Sequence, residues 1–403
     1  MKTIGVFFGG RSCEHDVSII TAHQAMANLD PSKFRVEPVY IARDGRWYMG
    51  DRLRDIAFYS HFDPLDVDQV YLDPNAGYHG LYKVIPPRSF LWIQPERTPV
   101  AQLDCALLCM HGMHGEDGAL SGLLELAEIP YTCSSLVGSS VGMDKIAMRI
   151  LFKGAGFPVL PFASVLREDF KRDPLSILEQ AEVGLTYPIF VKPANLGSSI
   201  GITRATDRAS LRDALEVAFA YDSRVMLDQG IEHVKEINCS ALGYGSEVQV
   251  SVCEQPVSWE EFLTFNEKYT RSAGDGMESL SRIVPAPIPD DMTGRIQRMT
   301  ADIFRTLNCK GVVRIDFMID EDTGELYVNE INTIPGSLAY YLWEPMGLSF
   351  PKLLERLIDI AEKAEKDEEE NSYAYESVIL QNFGGAKGAK GGAKGGAKFG
   401  SKF

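Results

Sequence analysis

Short apolar runs of strand type, Thr3–Phe8, Val36–Ala42 and Cys105–Met110, alternate with stretches of helical spacing, Val17–Leu29 and Ala119–Ala127. That alternation predicts an open α/β sheet with ligand-binding glycine turns at its strand ends. Between these runs, at about residues 43–100, lies a Pro- and Asp-rich insertion. Its His61 and His79 have no metal-ligand spacing and read as surface residues. Further on, Tyr187–Gly201 (YPIFVKPANLGSSIG) reads as a buried strand that delivers Lys192 into a loop of small residues, Gly197, Ser198 and Ser199. Such residues let backbone N–H groups approach phosphate oxygens, although the spacing is not that of a P-loop. Lys145 follows Gly142-Met143-Asp144 at the head of a helical run, Ile146–Lys153, and helix starts attract anions.

The segment from Gly311 to Gly336 (GVVRIDFMIDEDTGELYVNEINTIPG) carries the sharpest chemistry. Two strand-type runs flank the turn Glu321-Asp322-Thr323-Gly324, so a hairpin brings Asp316 beside Glu330 and Asn332, which share a face. Two carboxylates and an amide oxygen suit Mg²⁺, which usually binds through a few carboxylates together with substrate phosphates. Standing alone, the segment reads as readily as an acidic hairpin facing solvent.

The 403 residues exceed one core and predict two or three domains. A formal net charge of −16 argues against a nucleic-acid partner. No apolar run reaches the roughly 18 residues of a membrane span, and Gly9-Gly10-Arg11 interrupts the apolar start that would otherwise resemble a signal peptide. Seven cysteines without a CxxC pair read as free thiols of a reducing cytosol. The last stretch, GGAKGAKGGAKGGAKFGSKF, spreads five lysines over Gly and Ala. It cannot bury enough apolar surface to order itself, and reads as an inert extension rather than a recruiter of anionic surfaces.

Eight motifs in order, GGRSCEHDVS, HGMHGEDG, MDK, VKPANLGSSIG, EINCSALG, NEKY, RIDFM and NEINTIPG, resemble the ATP-grasp superfamily and within it the D-alanine:D-alanine ligase family, over nearly all of residues 1–360. The resemblance implies an ATP-grasp fold after an α/β domain, with regions at 1–133, 134–227, 228–366 and a tail at 367–403. It implies a cytoplasmic homodimer that joins two D-alanines for peptidoglycan synthesis through an acyl phosphate, using ATP and two Mg²⁺, with Mn²⁺ as the alternative ion. The rivals are a different second substrate, another amino acid or a hydroxy acid, and a nucleotide-binding module without catalysis.

By the same resemblance, Lys145, Lys192 and Ser199 meet the ATP phosphates, Asp228 lies near the adenine hinge, and Glu236 holds the ribose. Asp316, Glu330 and Asn332 hold the metals. Glu14 anchors the first ammonium and is linked to Ser198 and Tyr269, while His111 lies near the first carboxylate. A lone histidine after a strand is more often structural, and only the motif reverses that. Lys268 and Tyr269 sit in a polar stretch, Asn266–Met277, long enough to form a lid. Arg314 and the Gly336 N–H face the developing oxyanion. Two positions depart from the family's pattern: Asp228 replaces a glutamate, and Tyr341 stands where a serine usually holds the second carboxylate. A phenol donates the same hydrogen bond but fills more space.

Overall fold

The computed structural model describes residues 1–84, 99–256 and 282–372. Residues 1–365 form one compact unit, and residues 366–403 form another, of which 366–372 are described. The lid stretch with Lys268 and Tyr269, and the Gly/Ala/Lys tail, lie outside the described residues.

Among the described residues, the first sheet comprises β1 (Lys2–Gly9), β2 (Phe34–Ile41), β3 (Trp47–Met49), β4 (Asp68–Leu72), β5 (Gly80–Lys83), β6 (Ala101–Gln102) and β7 (Cys105–Leu108), with α1 (His15–Asn28) between β1 and β2. Its order is β6-β5-β4-β3-β2-β1-β7. β1 runs parallel to β2 and β7, as the strand-helix alternation requires. Residues 43–100, expected as an insertion, instead contribute β3, β4 and β5, which extend this sheet in antiparallel order. Their short strands and dense Asp and Pro hide the period-two signal in sequence. His61 is exposed as expected, whereas His79 is half-buried.

Three helices, α2 (Ala119–Leu126), α3 (Leu136–Met143) and α4 (Lys145–Gly154), lead to the second sheet. This contains β8 (Phe162–Leu166), β9 (Ile189–Pro193), β10 (Thr203–Ala205) and β11 (Arg224–Gln229), interspersed with α5 (Arg167–Arg172), α6 (Pro174–Gly184) and α7 (Arg208–Tyr221). The strands are antiparallel in the order β10-β9-β11-β8. Helix α7 starts at a capping box between Asp207 and Ser210, and buries Leu211, Ala214, Leu215 and Ala218 at helical spacing. Asp228 belongs to β11, so the expected division after residue 227 falls inside a strand of this sheet.

The third sheet has the order β14-β13-β12-β15-β16. Its strands are β12 (Val234–Tyr244), β13 (Glu247–Pro256), β14 (Arg282–Ile283), β15 (Lys310–Asp320) and β16 (Leu326–Asn332), with α8 (Asp290–Thr306) before β15. A 3₁₀ segment, Gly336–Leu342, then leads to α9 (Phe350–Glu369). Helix α8 buries Ile296, Thr300, Ile303 and Phe304, a stripe at i, i+4, i+7 and i+8, in one core with Ile237, Cys239, Val313, Ile315 and Phe317 of the sheet. Side chains alternate along a strand, so burying these residues turns Asn238, Arg314 and Asp316 to the opposite face.

Phe304 is 1% exposed within this core. Phe304→Ala removes most of its buried ring and leaves a cavity, so chemical denaturation should show a loss of about 3–5 kcal/mol. A loss below about 1 kcal/mol would mean that α8 does not anchor the sheet.

Candidate functional site

The predicted hairpin forms, and its register places the acids. Asp316 lies directly opposite Glu330, and Arg314 opposite Asn332. A bulge shifts the register between Asp316 and Phe317, which pair with Glu330 and Val328. The extra residue, Asn329, re-phases β16, so Leu326 and Val328 stay in the α8 core while Glu330 and Asn332 join Asp316 on the open face. Asp316 accepts two hydrogen bonds from Arg314, at 2.7 and 2.8 Å, and one from Asn332 Nδ2 at 3.0 Å. Lys145 Nζ lies 3.5 Å from Glu330. Burial raises the Glu330 carboxyl, but Lys145, Lys192 and Arg314 outweigh it and hold the group below its ordinary value.

Both phosphate-candidate lysines reach this cleft. Lys145 Nζ donates to the Leu196 carbonyl at 2.7 Å, which ties α4 to the small-residue loop. The start of α4 itself is not a free anion site as expected, because the Asp144 carboxylate already accepts the Ile146 and Ala147 N–H groups. Lys192 Nζ donates to Asp228 Oδ2 at 2.7 Å, and Arg149 Nη2 reaches the same oxygen at 3.0 Å. Arg149 is fully buried, and its Nε and Nη1, like Asp228 Oδ1, lack hydrogen-bond partners among the described residues. Orphaned buried polar atoms are costly unless a ligand completes them. Ser198 and Ser199 adopt left-handed conformations, with φ of 51° and 58°, and Glu236 is an exposed residue of β12.

Glu14 occupies the N-terminal boundary position of α1, makes no capping bond with its side chain, and is buried; Ser198 Oγ donates to its carboxylate, joining the first and second sheets' loops. Two glycines make this possible. A Cβ on Gly112 would lie 2.5 Å, and one on Gly197 2.6 Å, from Glu14 Oε2, and Gly112 also has φ of +71°. His111 is buried, and its Nε2 lies 2.8 Å from Thr21 Oγ1. Burial lowers its pKa to about 4, while a hydrogen bond to the Ile334 backbone works in the opposite sense. Thr21 Oγ1 also accepts the Ser337 N–H at 3.3 Å. His111 therefore holds the Gly336 loop, with one ring nitrogen on Thr21 and a backbone bond to Ile334. That loop needs holding: Ser337, Leu338 and Ala339 lie successively in the left-handed region, at φ of 50°, 53° and 51°, which costs roughly 1–2 kcal/mol per residue.

Four residues escaped sequence reasoning. Glu116 accepts the Gly112 N–H at 2.8 Å and the Ile334 N–H at 3.1 Å, clamping the first sheet's loop to the end of β16. Burial and the Glu14 charge push its carboxyl up to about 8, against those two donors. Its place inside HGMHGEDG was the available signal. Arg149 follows Lys145 by one helical turn, a spacing that puts both on one face of α4. Glu254 and Arg282 had no local signal, since only strand pairing brings them to Tyr341. The Tyr341 hydroxyl donates to Glu254 Oε1 at 3.1 Å, and Arg282 stacks on its ring.

The D-ala D-ala ligase N-terminus family model matches residues 3–134, and the D-ala D-ala ligase C-terminus model matches residues 151–359. The chain belongs to the D-ala D-ala ligase family. Relatives in this family include the D-alanine–D-alanine ligase of Thermosipho africanus, 34% identical over 94% of this chain and 98% of the relative. That of Acetivibrio thermocellus is 34% identical over 89% and 96%. Among solved structures, the D-alanine-D-alanine ligase from Coxiella burnetii superposes with a TM-score of 0.73 at 26% identity, covering 91% of this chain and 96% of that one. VanG D-Ala:D-Ser ligase from Enterococcus faecalis gives 0.74 at 29%, covering 89% and 99%. The fold is thus the ATP-grasp fold of D-ala D-ala ligases, preceded by an α/β domain. No helix among the described residues is long and apolar enough to cross a membrane.

The pH dependence of stability should report His111. Its folded pKa of about 4 lies below the ordinary 6.5, so the unfolded chain binds the extra proton first as pH falls. This group's contribution is present above about pH 6.5 and is lost progressively down to about pH 4. His111→Asn should therefore flatten the fall in melting temperature over that window relative to wild type. Parallel wild-type and variant profiles would exclude a neutral buried ring.

Proposed function

We propose that this ligase joins two D-alanines, using ATP to activate the carboxylate of the first as an acyl phosphate that the amine of the second attacks, with phosphate leaving. The observation that carries the reading is the convergence of Asp316, Glu330 and Asn332 on one face, with Lys145 3.5 Å from Glu330. Among the described residues no three His, Cys, Asp or Glu side chains form a metal cluster. Two carboxylates and an amide instead match an ion that takes its remaining ligands from phosphate and water. When bound, two Mg²⁺ (or Mn²⁺) would neutralise phosphate charge during transfer, held by Asp316, Glu330 and Asn332.

The chain's own groups supply the rest. Lys145 and Lys192 exchange their protein carbonyl and carboxylate partners for phosphate oxygens, with Ser199 on the same loop. Asp228, with its orphaned Oδ1, faces the adenine, and Glu236 the ribose. Glu14, oriented by Ser198, binds the first ammonium, and His111 stands near the first carboxylate while holding the loop. Arg314 and the Gly336 N–H stabilise the developing oxyanion in a site arranged beforehand. Lys268 and Tyr269 close the site by resemblance alone. The product serves peptidoglycan synthesis in the cytoplasm, and the enzyme is a homodimer, which sedimentation at working concentration tests. A different second substrate is favoured by one observation, Tyr341 in place of serine.

The deciding experiment mixes purified protein with ATP, Mg²⁺ and D-alanine, and identifies the product by mass beside other D-amino acids and D-lactate. D-alanyl-D-alanine with stoichiometric phosphate is expected; no phosphate with any pair would leave a nucleotide-binding module. Glu330→Gln should lower turnover by at least about a hundredfold, on the order of 2.7 kcal/mol of barrier, with the melting temperature retained. Near-normal turnover at saturating Mg²⁺ would remove Glu330 from the metal set.

A further inference from the structure

Arg149 is a fully buried guanidinium beside the candidate nucleotide groups, and the ligase reading gives it no task. Its place follows from the strand period. On β11, Val225 and Leu227 enter one core with Leu211 and Leu215 of α7, so Met226 and Asp228 face the other side of the second sheet. Helix α4 covers that side: Ile146 packs with Met226, and Arg149 follows three residues on, along the same helix face. Arg149 Nη2 donates to Asp228 Oδ2 at 3.0 Å and to the carbonyl of the bulged residue Asn329 at 3.4 Å. Buried polar groups are ordinarily satisfied. This one leaves Nε and Nη1 without partners among the described residues and places its third nitrogen between Asp228 and the bulge.

Asp228 holds two cations on one oxygen and none on the other. Lys192 Nζ also donates to Oδ2, at 2.7 Å, while the buried Oδ1 has no partner among the described residues. The two cations differ in their freedom to leave. Lys192 keeps 12% of its side-chain exposure, and the ligase reading assigns it to phosphate. Arg149 keeps none, and its charge is permanent. Were Lys192 the sole partner, its departure would strand a buried carboxylate, which is strongly destabilising. With Arg149 on Oδ2 the anion stays paired, and Oδ1 remains the acceptor open to a ligand.

We propose that Arg149 is a positioning residue for nucleotide selection: it holds the Asp228 carboxylate in place while Lys192 moves to phosphate, so that Oδ1 accepts from the 6-amino group of a purine and rejects a 6-oxo group. The inference rests on the reading of Asp228 as the group that faces the base. An ionised carboxylate only accepts, so it pairs with an amine and repels a carbonyl oxygen. The bond to the Asn329 carbonyl sets the same brace one residue from Glu330, giving the base and metal sites a common support.

The test measures binding of ATP and of inosine triphosphate to the full-length protein by calorimetry, with Mg²⁺ and without amino acid, so that no turnover is needed. Inosine triphosphate keeps the sugar and phosphates of ATP but carries an oxo group in place of the 6-amino group. Wild type should bind ATP more tightly by about ten- to a hundredfold. Arg149→Gln should shrink that ratio by about tenfold, mainly by weakening ATP, and leave the KM of D-alanine in the full reaction within about twofold. Arg149→Lys, which keeps a charge beside Asp228, should lie between the two and serves if the glutamine variant folds poorly. Asp228→Asn, whose amide can turn a donor to the base, should remove the preference.

A preference lost in Asp228→Asn but unchanged in each Arg149 variant that folds would overturn the proposal and leave base selection to Asp228 alone. Equal weakening of both nucleotides in Arg149→Gln, with the ratio preserved, would make Arg149 a brace of the fold and overturn it as well. If Asp228→Asn keeps the full preference, or wild type shows none, the reading of Asp228 at the base falls, and this inference with it.

Discussion

The antiparallel pairing of β15 with β16, interrupted by one bulged residue, is the constraint on which the rest of the site depends. Strand side chains alternate strictly, so a single slip would send Glu330 into the α8 core and Val328 into the cleft. Burial of Val313, Ile315 and Phe317 beneath α8 holds β15 in phase. On β16 the bulge lets Leu326 and Val328 obey the same core while Glu330 and Asn332 meet Asp316 and Arg314. The hydrophobic face sets the register, and the polar chemistry follows from it.

A second constraint ties the far ends of the chain together. The loop after β16 carries Gly336 and three consecutive left-handed residues, a conformation that no local preference of Ser, Leu or Ala supports. It persists because the first sheet's elements grip it: Glu116 takes the Ile334 N–H, Thr21 the Ser337 N–H, and Gln24 the Ser337 hydroxyl at 2.7 Å. The aliphatic side of the loop, Leu338, Ala339 and Leu342, joins the first sheet's core. The position of Gly336 thus depends on contacts between residues 218 to 316 positions apart in sequence.

Electrostatically, the cleft pairs its own charges. Lys145 faces Glu330, Lys192 and Arg149 share Asp228, Arg314 holds Asp316, and Arg282 lies near Glu254. Buried ions of one sign would be expensive alone. Arranged as pairs, each charge offsets part of its partner's desolvation cost.

The hairpin, the Lys192 strand with its small-residue loop, and helices α1, α2 and α4 were legible because each rests on local rules: period-two and period-3.6 patterning, turn residues, and glycine where a neighbour crowds in. The order of motifs carried the family. Residues 43–100 were not legible as sheet, since β3, β4 and β5 are short and gain their stability by pairing onto β2 rather than from their own pattern. Glu254 and Arg282 were likewise silent, because nothing in a strand's sequence says which residue will lie across from it. The sequence by itself determined which side chains could do the chemistry and which faces would be buried. Only the tertiary structure decided that the Tyr341 hydroxyl would turn to Glu254 and that His111 would hold a strained loop. Those outcomes depend on desolvation and on partners distant in the chain, and both exist only once the sheets have packed.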